Sequence, residues 1–195
     1  MRLVVGLGNP GERYAATRHN VAWRVLDELA RRWPAEAESQ ASQYAARRAR
    51  VGREAVVLMQ PLTFMNEAGR ALEGWLADHP DRWEGLLVIS DDVYLPVGTL
   101  RLRARGASGG HRGLESIEAA LQSRDFPRLR IGVGGTESGS QLREHVLDPF
   151  TPEQLPAVDE AVRRAADVVE CWLADGIQAA MNRFNRRVRR EVPES

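Results

Sequence analysis

One histidine of this sequence stands among residues that suit acid–base chemistry. His19 closes the stretch GLGNPGERYAATRH, which begins in a short apolar run and also contains Asn9 and Tyr14. A neutral imidazole takes up a proton near neutral pH, which makes His19 a candidate general base. Taken alone, His19 equally fits the cap region of the helix that follows, and Asn9 fits an ordinary Asn-Pro turn.

A carboxylate that can support this base follows a second apolar run. Asp91 comes directly after LLVIS, and it lies at the same sheet edge as Asn9 if the two strands are parallel. A carboxylate bonded to one imidazole nitrogen fixes the tautomer and stabilises the cation that forms when the base takes a proton. The alternative is that Asp91 and Asp92 form only a turn before VYLPVG.

Asn66, in the stretch QPLTFMN, is a further candidate. Its carboxamide can polarise a carbonyl or a developing oxyanion, with Phe64 and Met65 as an apolar wall. The alternative is that Asn66 caps the helix predicted over residues 67–76. A hydrolase built from these candidates would use a base-activated water.

Other kinds of site find less support in the sequence. The glycines of GLGNPG match the dinucleotide motif G-x-G-x-x-G, but that motif needs a helix at its last glycines, and here Pro10 and a polar stretch intervene. No G-x-S-x-G nucleophile elbow is present. No histidine or cysteine pair has metal-ligand spacing, so neither a metal nor a cofactor is expected. His79 and His145 stand in contexts that suggest no chemistry.

The composition predicts one globular domain without membrane spans. The 195 residues, 43% of them hydrophobic, can bury a sizeable core. A single cysteine, Cys171, excludes an internal disulfide framework, and the start MRLVVGLGNPG lacks the features of a signal peptide. We therefore expect a cytoplasmic protein with one domain over residues 1–195, of which about 191–195 form a frayed tail.

The net charge is zero, since Lys+Arg and Asp+Glu both number 27. Bulk charge thus gives no evidence for a nucleic-acid partner, and only local clusters of arginine can do so. Arginines suit bidentate phosphate contacts but can equally reflect a GC-rich genome. The clusters are Arg101, Arg103 and Arg105; Arg124, Arg128 and Arg130; and the arginines of residues 183–190.

The apolar periodicity predicts strands that alternate with helices. Strands are predicted over 3–7, 44–51, 54–59, 86–89, 100–104 and 129–133, with a two-residue turn between the second and third. Helices are predicted over 20–33, 67–76, 114–121, 155–172 and about 177–188. The polar stretch AEAESQASQ predicts a surface loop, and GASGGHRG a glycine-rich one.

These elements indicate the α/β class. Purely apolar strands at the start and in the middle of the chain are typical of a sheet covered on both faces. We expect a single three-layer domain with a twisted, mixed and largely parallel sheet and helices on both faces.

Five stretches of the chain carry a resemblance to a known family: VVGLGNPGERYAATRHNVAW, LMQPLTFMNEAG, LLVISDDVYLPVG, RARGASGGHRGLESI and FPRLRIGVG. In this order and spacing, the chain resembles bacterial peptidyl-tRNA hydrolase over essentially its whole length. That family cleaves the ester between a peptide and the terminal ribose of tRNA, without metal or cofactor, and rescues tRNA from peptidyl-tRNA shed by stalled ribosomes. The resemblance implies the same activity here.

The resemblance also implies roles for individual residues. His19 would activate water and Asp91 would stabilise its basic form. Asn9 would help to distinguish blocked from free aminoacyl-tRNA. Contacts with the tRNA 3′ CCA end or the peptide would come from Tyr14, Phe64, Met65 and Asn66.

Contacts with the acceptor stem would come from basic side chains and the glycine-rich loop. The resemblance implies that Arg103, Arg130 and the loop with His111 and Arg112 face phosphates, in a manner independent of base sequence. Arg112 replaces the asparagine of the usual GGHNG. An amide both donates and accepts hydrogen bonds whereas a guanidinium only donates, so we expect Arg112 to contact tRNA.

Two further departures from the family pattern lie close to the motifs. Tyr94 stands where the family commonly has a second acidic residue, and IGVG is followed by Gly-Thr rather than by a basic residue and proline. Alternative functions are a non-catalytic RNA-binding protein on the same scaffold and a nucleotide-dependent Rossmann enzyme. A monomer is expected, because the substrate is large and the site needs an open face.

Overall fold

The computed structural model describes residues 1–80, 83–135 and 141–185, which contain seven strands and five α-helices. The strands are β1 (Arg2–Gly6), β2 (Glu36–Gln40), β3 (Tyr44–Val51), β4 (Glu54–Pro61), β5 (Gly85–Asp92), β6 (Leu100–Arg103) and β7 (Arg128–Gly132). The helices are α1 (Val21–Arg32), α2 (Ala68–Asp78), α3 (Arg112–Leu121), α4 (Leu142–Leu147) and α5 (Leu155–Phe184).

All seven strands form one mixed sheet in the order β2-β3-β4-β1-β5-β7-β6. The four central strands, β4, β1, β5 and β7, run parallel to one another, while β2, β3 and β6 are joined antiparallel at the two sides. The strands β1, β4 and β5 each contain a continuous apolar run (residues 3–5, 55–59 and 86–89), as expected for strands buried on both faces.

Two helical layers cover the sheet. Alternate residues of β1 point to opposite faces, so that Val4 packs with α1 and α5, while Leu3 and Val5 pack with α2 and α3. The apolar face of α1, including Val25 and Leu29, is fully buried against the first face. The predicted three-layer α/β fold with a mixed sheet is therefore confirmed.

The stretch predicted as a surface loop is a strand, so that prediction was wrong. Strand β2 pairs antiparallel with β3, with an irregular register between Ala37 and Ser39. It is the outermost strand on its side of the sheet and has no continuous apolar face, a composition that keeps an edge strand from pairing with other chains. Such a strand lacks the hydrophobic alternation from which strands are recognised.

The two last predicted helices are the two parts of α5, which a kink separates. Gly176, with φ 83° and ψ 173°, ends the first helical part at the predicted break, and a second helical part follows it to Phe184. The predicted end of the last helix near residue 188 and the tail at 191–195 lie outside the described residues. Within the described residues, no helix is both long and apolar enough to cross a membrane.

Candidate active site

Parallel pairing of β1 and β5 brings the predicted polar residues to one edge of the sheet. The register pairs Gly6 with Ile89, so Asn9 and Asp91 both follow this level at the carboxyl ends of adjacent strands. Asp91 still belongs to β5 and pairs with Ile131 of β7, and the alternative of a simple turn is wrong. Ligand sites of open α/β sheets lie at this edge.

His19 lies in a 3₁₀ turn, Arg18–Asn20, directly before α1. Its Nδ1 is 2.8 Å from Oδ1 of Asp91, and its side chain is 15% exposed. It makes no helix-capping hydrogen bond with α1, which begins after Asn20 as its N-cap. The imidazole is therefore held by one nitrogen while the other edge of the ring stays accessible.

A second imidazole shares the same carboxylate. His111 Nε2 is also 2.8 Å from Oδ1 of Asp91, and the two imidazole rings lie 5.3 Å apart between centroids. The side chain of His111 accepts a hydrogen bond from the backbone N–H of Leu114 and so caps α3. The site is thus a His–Asp–His cluster rather than a simple pair.

The electrostatics of the cluster favour an ionised Asp91. Complete burial opposes ionisation, but the imidazoles of His19 and His111 hold the pKa of Asp91 well below its usual range. Burial lowers the pKa of His19, and the charge and hydrogen bond of Asp91 raise it by more, so that the pKa lies above the ordinary value of 6.5. His19 is thereby a stronger base than a free imidazole.

Hydrogen bonds fix Asn9 in one orientation. Its Oδ1 accepts the backbone N–H of Met65 at 2.8 Å, while its own backbone N–H and C=O bond the carboxamide of Asn20 at 2.8 and 3.0 Å. Because Oδ1 of Asn9 already accepts a hydrogen bond, the Nδ2 group is the part of the side chain that is available to a ligand. Nδ2 has no hydrogen-bond partner within the described part of the chain. An oriented amide donor therefore stands beside the cluster.

The segment of Asn66 lies next to Asn9. Asn66 is exposed in a 3₁₀ turn, Met65–Glu67, and the N-cap of α2 is Glu67, so the capping alternative is wrong. Phe64 is 50% exposed and meets the ring of Tyr14 edge-on, with 6.4 Å between centroids. Met65 is only 4% exposed and belongs to the core, so of the two residues predicted as an apolar wall only Phe64 reaches the surface. There it packs against Tyr14.

A cleft of about 210 Å³ opens at His19 on the side of the glycine-rich loop. Its walls combine charged and apolar side chains from β5, α3 and α4. The residues that line it are His19, Asp91, Asp92, Val93, Tyr94, Gly109, Gly110, His111, Arg112, Arg130, Leu142, Arg143 and Val146. Asn9, Tyr14, Phe64 and Asn66 are not among them, so the predicted residues fall into two groups around His19.

The three predicted arginines differ in how they are bound. Arg130 pairs with Asp92 at 3.2 Å and donates to the carbonyls of Ala107 and Ser108 at 2.8 Å, which fastens the glycine-rich loop to β7. Arg103 and Arg112 are exposed and have no charged partner within the described ranges. The prediction that Arg130 binds a phosphate stays untested, and its guanidinium already has internal partners.

The cluster also contains ligand atoms of the kind that transition metals prefer. His19 Nδ1, Asp91 Oδ1 and His111 Nε2 all lie within 4.8 Å of one another. Each of these nitrogens stands at hydrogen-bond distance from the carboxylate, so a metal would have to replace both hydrogen bonds. The expectation of a metal-free site stays a prediction.

The sequence did not predict the contacts that two residues of the site, His111 and Asn20, make in the structure. His111 was predicted to face tRNA, whereas the structure joins it to Asp91, and Asn20 was not singled out. Their partners lie 20 and 11 residues away, at distances that depend on the fold. The one local signal was the position of His111 three residues before a predicted helix, close to where a cap is expected.

Fold and site together define an α/β protein with an acid–base cluster at the carboxyl edge of its parallel strands. The family model described as peptidyl-tRNA hydrolase matches residues 3–192. The chain therefore belongs to the peptidyl-tRNA hydrolase family, and the resemblance read from its motifs is confirmed.

Individual relatives agree over nearly the full length. The chain is 43% identical to the peptidyl-tRNA hydrolase of Syntrophomonas wolfei, covering 95% of this chain and 100% of the relative. It is 46% identical to that of Symbiobacterium thermophilum, covering 94% and 98%. The crystal structure of peptidyl-tRNA hydrolase from Acinetobacter baumannii superimposes with a TM-score of 0.88 at 30% identity, covering 95% and 94%.

Proposed function

We propose that this protein hydrolyses the ester bond of peptidyl-tRNA, releasing free tRNA and the peptide, with His19 as the general base. Membership of the peptidyl-tRNA hydrolase family supports the reaction. The observation that carries the residue assignment is the 2.8 Å bond between His19 Nδ1 and the buried carboxylate of Asp91, beside an open cleft.

In the proposed reaction, Nε2 of His19 takes a proton from a water molecule. The water oxygen attacks the ester carbonyl and gives a tetrahedral oxyanion. When this intermediate collapses, the bond to the ribose oxygen breaks, and the protonated His19 returns its proton to that oxygen. The products are the free ribose hydroxyl and the peptide carboxylic acid, which loses its proton to solvent and becomes the carboxylate, and His19 is again neutral.

Asp91 serves this cycle by its charge and its position. Because Asp91 is ionised, it accepts a hydrogen bond from Nδ1–H of His19 and leaves Nε2 unprotonated. The same charge stabilises the imidazolium that forms during attack. Burial strengthens the interaction, since no water competes for the carboxylate oxygen at Oδ1.

Two carboxamides are suited to bind the substrate around the ester. The free Nδ2 group of Asn9 is a fixed donor for a peptide carbonyl next to the ester. That interaction favours substrates with a blocked α-amino group over free aminoacyl-tRNA. Asn66 is exposed beside it and is proposed to donate to the ester carbonyl as its oxygen gains charge, a role typically worth about 3 kcal/mol.

Exposed aromatic and basic side chains are proposed to hold the tRNA. The exposed ring of Phe64 and the half-buried ring of Tyr14, over which the Arg13 guanidinium lies, are proposed to stack with unpaired bases of the 3′ CCA end. Arg103 and Arg112 carry exposed charges for backbone phosphates of the acceptor stem and its end. Such contacts do not depend on base sequence, as an enzyme that serves many tRNAs requires. We further propose a cytoplasmic monomer that acts without a metal.

The direct test compares two substrates in the presence of EDTA. N-blocked aminoacyl-tRNA is expected to be hydrolysed, while the same tRNA with a free α-amino group is spared. Equal cleavage of both would contradict the assigned role of Asn9. Tight tRNA binding without any hydrolysis of the blocked form would instead support a non-catalytic RNA-binding protein.

A further inference from the structure

The two histidines of the site compete for one oxygen atom. His19 Nδ1 and His111 Nε2 both lie 2.8 Å from Oδ1 of Asp91. The carboxylate is 1% exposed, and the side chain of His111 is 9% exposed, so little water reaches this contact. A hydrogen bond that His111 donates to Asp91 therefore changes the strength of the interaction between Asp91 and His19.

The hydrogen bonds of His111 determine its tautomer. The backbone N–H of Leu114 donates to Nδ1 of His111 at 3.3 Å, so this nitrogen carries the lone pair. In neutral imidazole the proton is then on Nε2, which donates to the ionised Asp91. His111 thus has both ring nitrogens engaged, and neither is left for the substrate or the attacking water.

We propose that His111 is a positioning residue that limits the basicity of His19 by sharing the carboxylate of Asp91. This inference rests on the proposed function, in which His19 is the base. A donor at Oδ1 draws off part of the negative charge that would otherwise favour imidazolium at His19. Without this donor the pKa of His19 would rise further, and a larger fraction of the enzyme would be protonated and inactive near neutral pH.

The remaining charges around His19 do not replace this control. Asp92 is paired with Arg130, while Arg112 and Arg143 are exposed in the cleft. Further charged or titratable side chains on the adjoining segments are Arg18, Tyr94, Glu144, His145 and Asp148. Arg18 is bonded to Gln154, and His145 is bonded to the carbonyl of Gly134. His111 is the cluster member that donates to the same carboxylate oxygen as His19.

Two substitutions of His111 distinguish the effect of its N–H donor from the effect of its ring. His111→Phe keeps a ring but removes the N–H, whereas His111→Gln keeps an N–H donor that can reach Asp91. For His111→Phe we expect the pKa of His19 and the acid limb of kcat/KM to rise by about one unit. The rate well below the limb then falls about tenfold, with a smaller change on the plateau. His111→Gln is expected to restore most of the profile.

Nuclear magnetic resonance gives a readout that a merely structural role would not move. Histidine ¹⁵N shifts of the unaltered protein should show His111 protonated at Nε2, and a pH titration followed on His19 gives its pKa in each variant. Melting temperatures identify any loss of stability from the missing cap at Leu114. A proton on Nδ1 of His111, or a His19 titration that His111→Phe leaves unchanged or lowers, would overturn the proposal.

The outcome also stays distinct from that of the proposed function. If His19→Ala keeps its turnover while the His19 titration still responds to His111→Phe, the coupling stands and the assignment of the base fails. If His19→Ala is inactive and the titration does not respond, the base stands and the role of His111 fails.

Discussion

At the scale of the residue, chemistry depends on one buried carboxylate and the ring that it orients. Asn9 and Asp91 were predicted to lie together because each follows an apolar strand and parallel strands end at one edge, and His19 was identified in the segment that follows Asn9. The sequence did not predict the contact of His111, the third member, with Asp91. His111 lies in a glycine-rich loop, and the sequence of such a loop does not indicate which residues it contacts in the folded protein. Sequence patterns locate strand ends well, whereas contacts between loops depend on packing.

The raised pKa of His19 predicts the pH dependence of the reaction. The base acts when neutral, so kcat/KM should be low at acid pH and rise with one proton lost. Because Asp91 raises the pKa of His19 above the ordinary value, the acid limb should lie above pH 6.5. A pH–rate profile on N-blocked aminoacyl-tRNA measures this, and a limb at or below pH 6 would contradict the assignment.

Replacing the carboxylate should move that limb in the opposite direction. In Asp91→Asn the charge that raises the pKa of His19 is gone, while burial still lowers it. We expect the acid limb to shift to lower pH and the plateau rate to fall by about 10²-fold or more, since the imidazolium is no longer stabilised. The same profile checks it, with Asp78→Asn on α2 as control. An unchanged limb would show that Asp91 does not act on His19.

At the scale of the element, the apolar strands and amphipathic helices were predicted because burial dictates their pattern. The buried middle parts of β1 and β5, residues 3–5 and 86–89, are continuous apolar runs, and the buried stripe of α1 repeats at helical spacing. The polar edge strand β2 carries no such pattern and was missed. The kink at Gly176, which divides α5 into two helical parts, was predicted as the break between the last two helices.

Gly176 provides a stability prediction with a matched control. Its φ of 83° strains any residue with a side chain, so Gly176→Ala should lower the free energy of unfolding by about 1 kcal/mol or more. Gly74 lies in α2 without positive φ, and a methyl group there meets its neighbours at 3.5 Å or more. Gly74→Ala should therefore stabilise by about 0.4–1 kcal/mol.

Urea unfolding of both glycine variants tests this pair directly. The opposite signs separate backbone strain from a general effect of adding a methyl group. If Gly176→Ala is as stable as the unaltered protein, the left-handed conformation within α5 is not required by the fold.

At the scale of the whole molecule, a protein with zero net charge must bind the anionic tRNA through a local cluster of positively charged side chains. Arg103 lies on the exposed face of the edge strand β6, and no ion pair neutralises it within the residues that the structure describes. Arg103→Ala should weaken tRNA binding similarly for all tRNA sequences and reduce the salt slope of log K by about 1.

A matched charge loss serves as the control for Arg103. Arg31 lies on α1 and is paired with Glu28 at 2.9 Å, so its charge is already compensated. Arg31→Ala should leave tRNA affinity and the salt slope unchanged. Equal effects of the two substitutions would mean that net charge, rather than a surface around Arg103, governs binding.

The central claim is that His19 is the base that hydrolyses peptidyl-tRNA. The most direct measurement is the single-turnover hydrolysis of N-blocked aminoacyl-tRNA by His19→Ala at saturating enzyme, with tRNA affinity determined in parallel. His79→Ala is the control, since His79 stacks on Trp75 and bonds its carbonyl. We expect His19→Ala to lose about 10²–10⁴-fold in rate with tRNA affinity retained, and His79→Ala to lose little. A rate for His19→Ala within tenfold of the unaltered protein would contradict the claim.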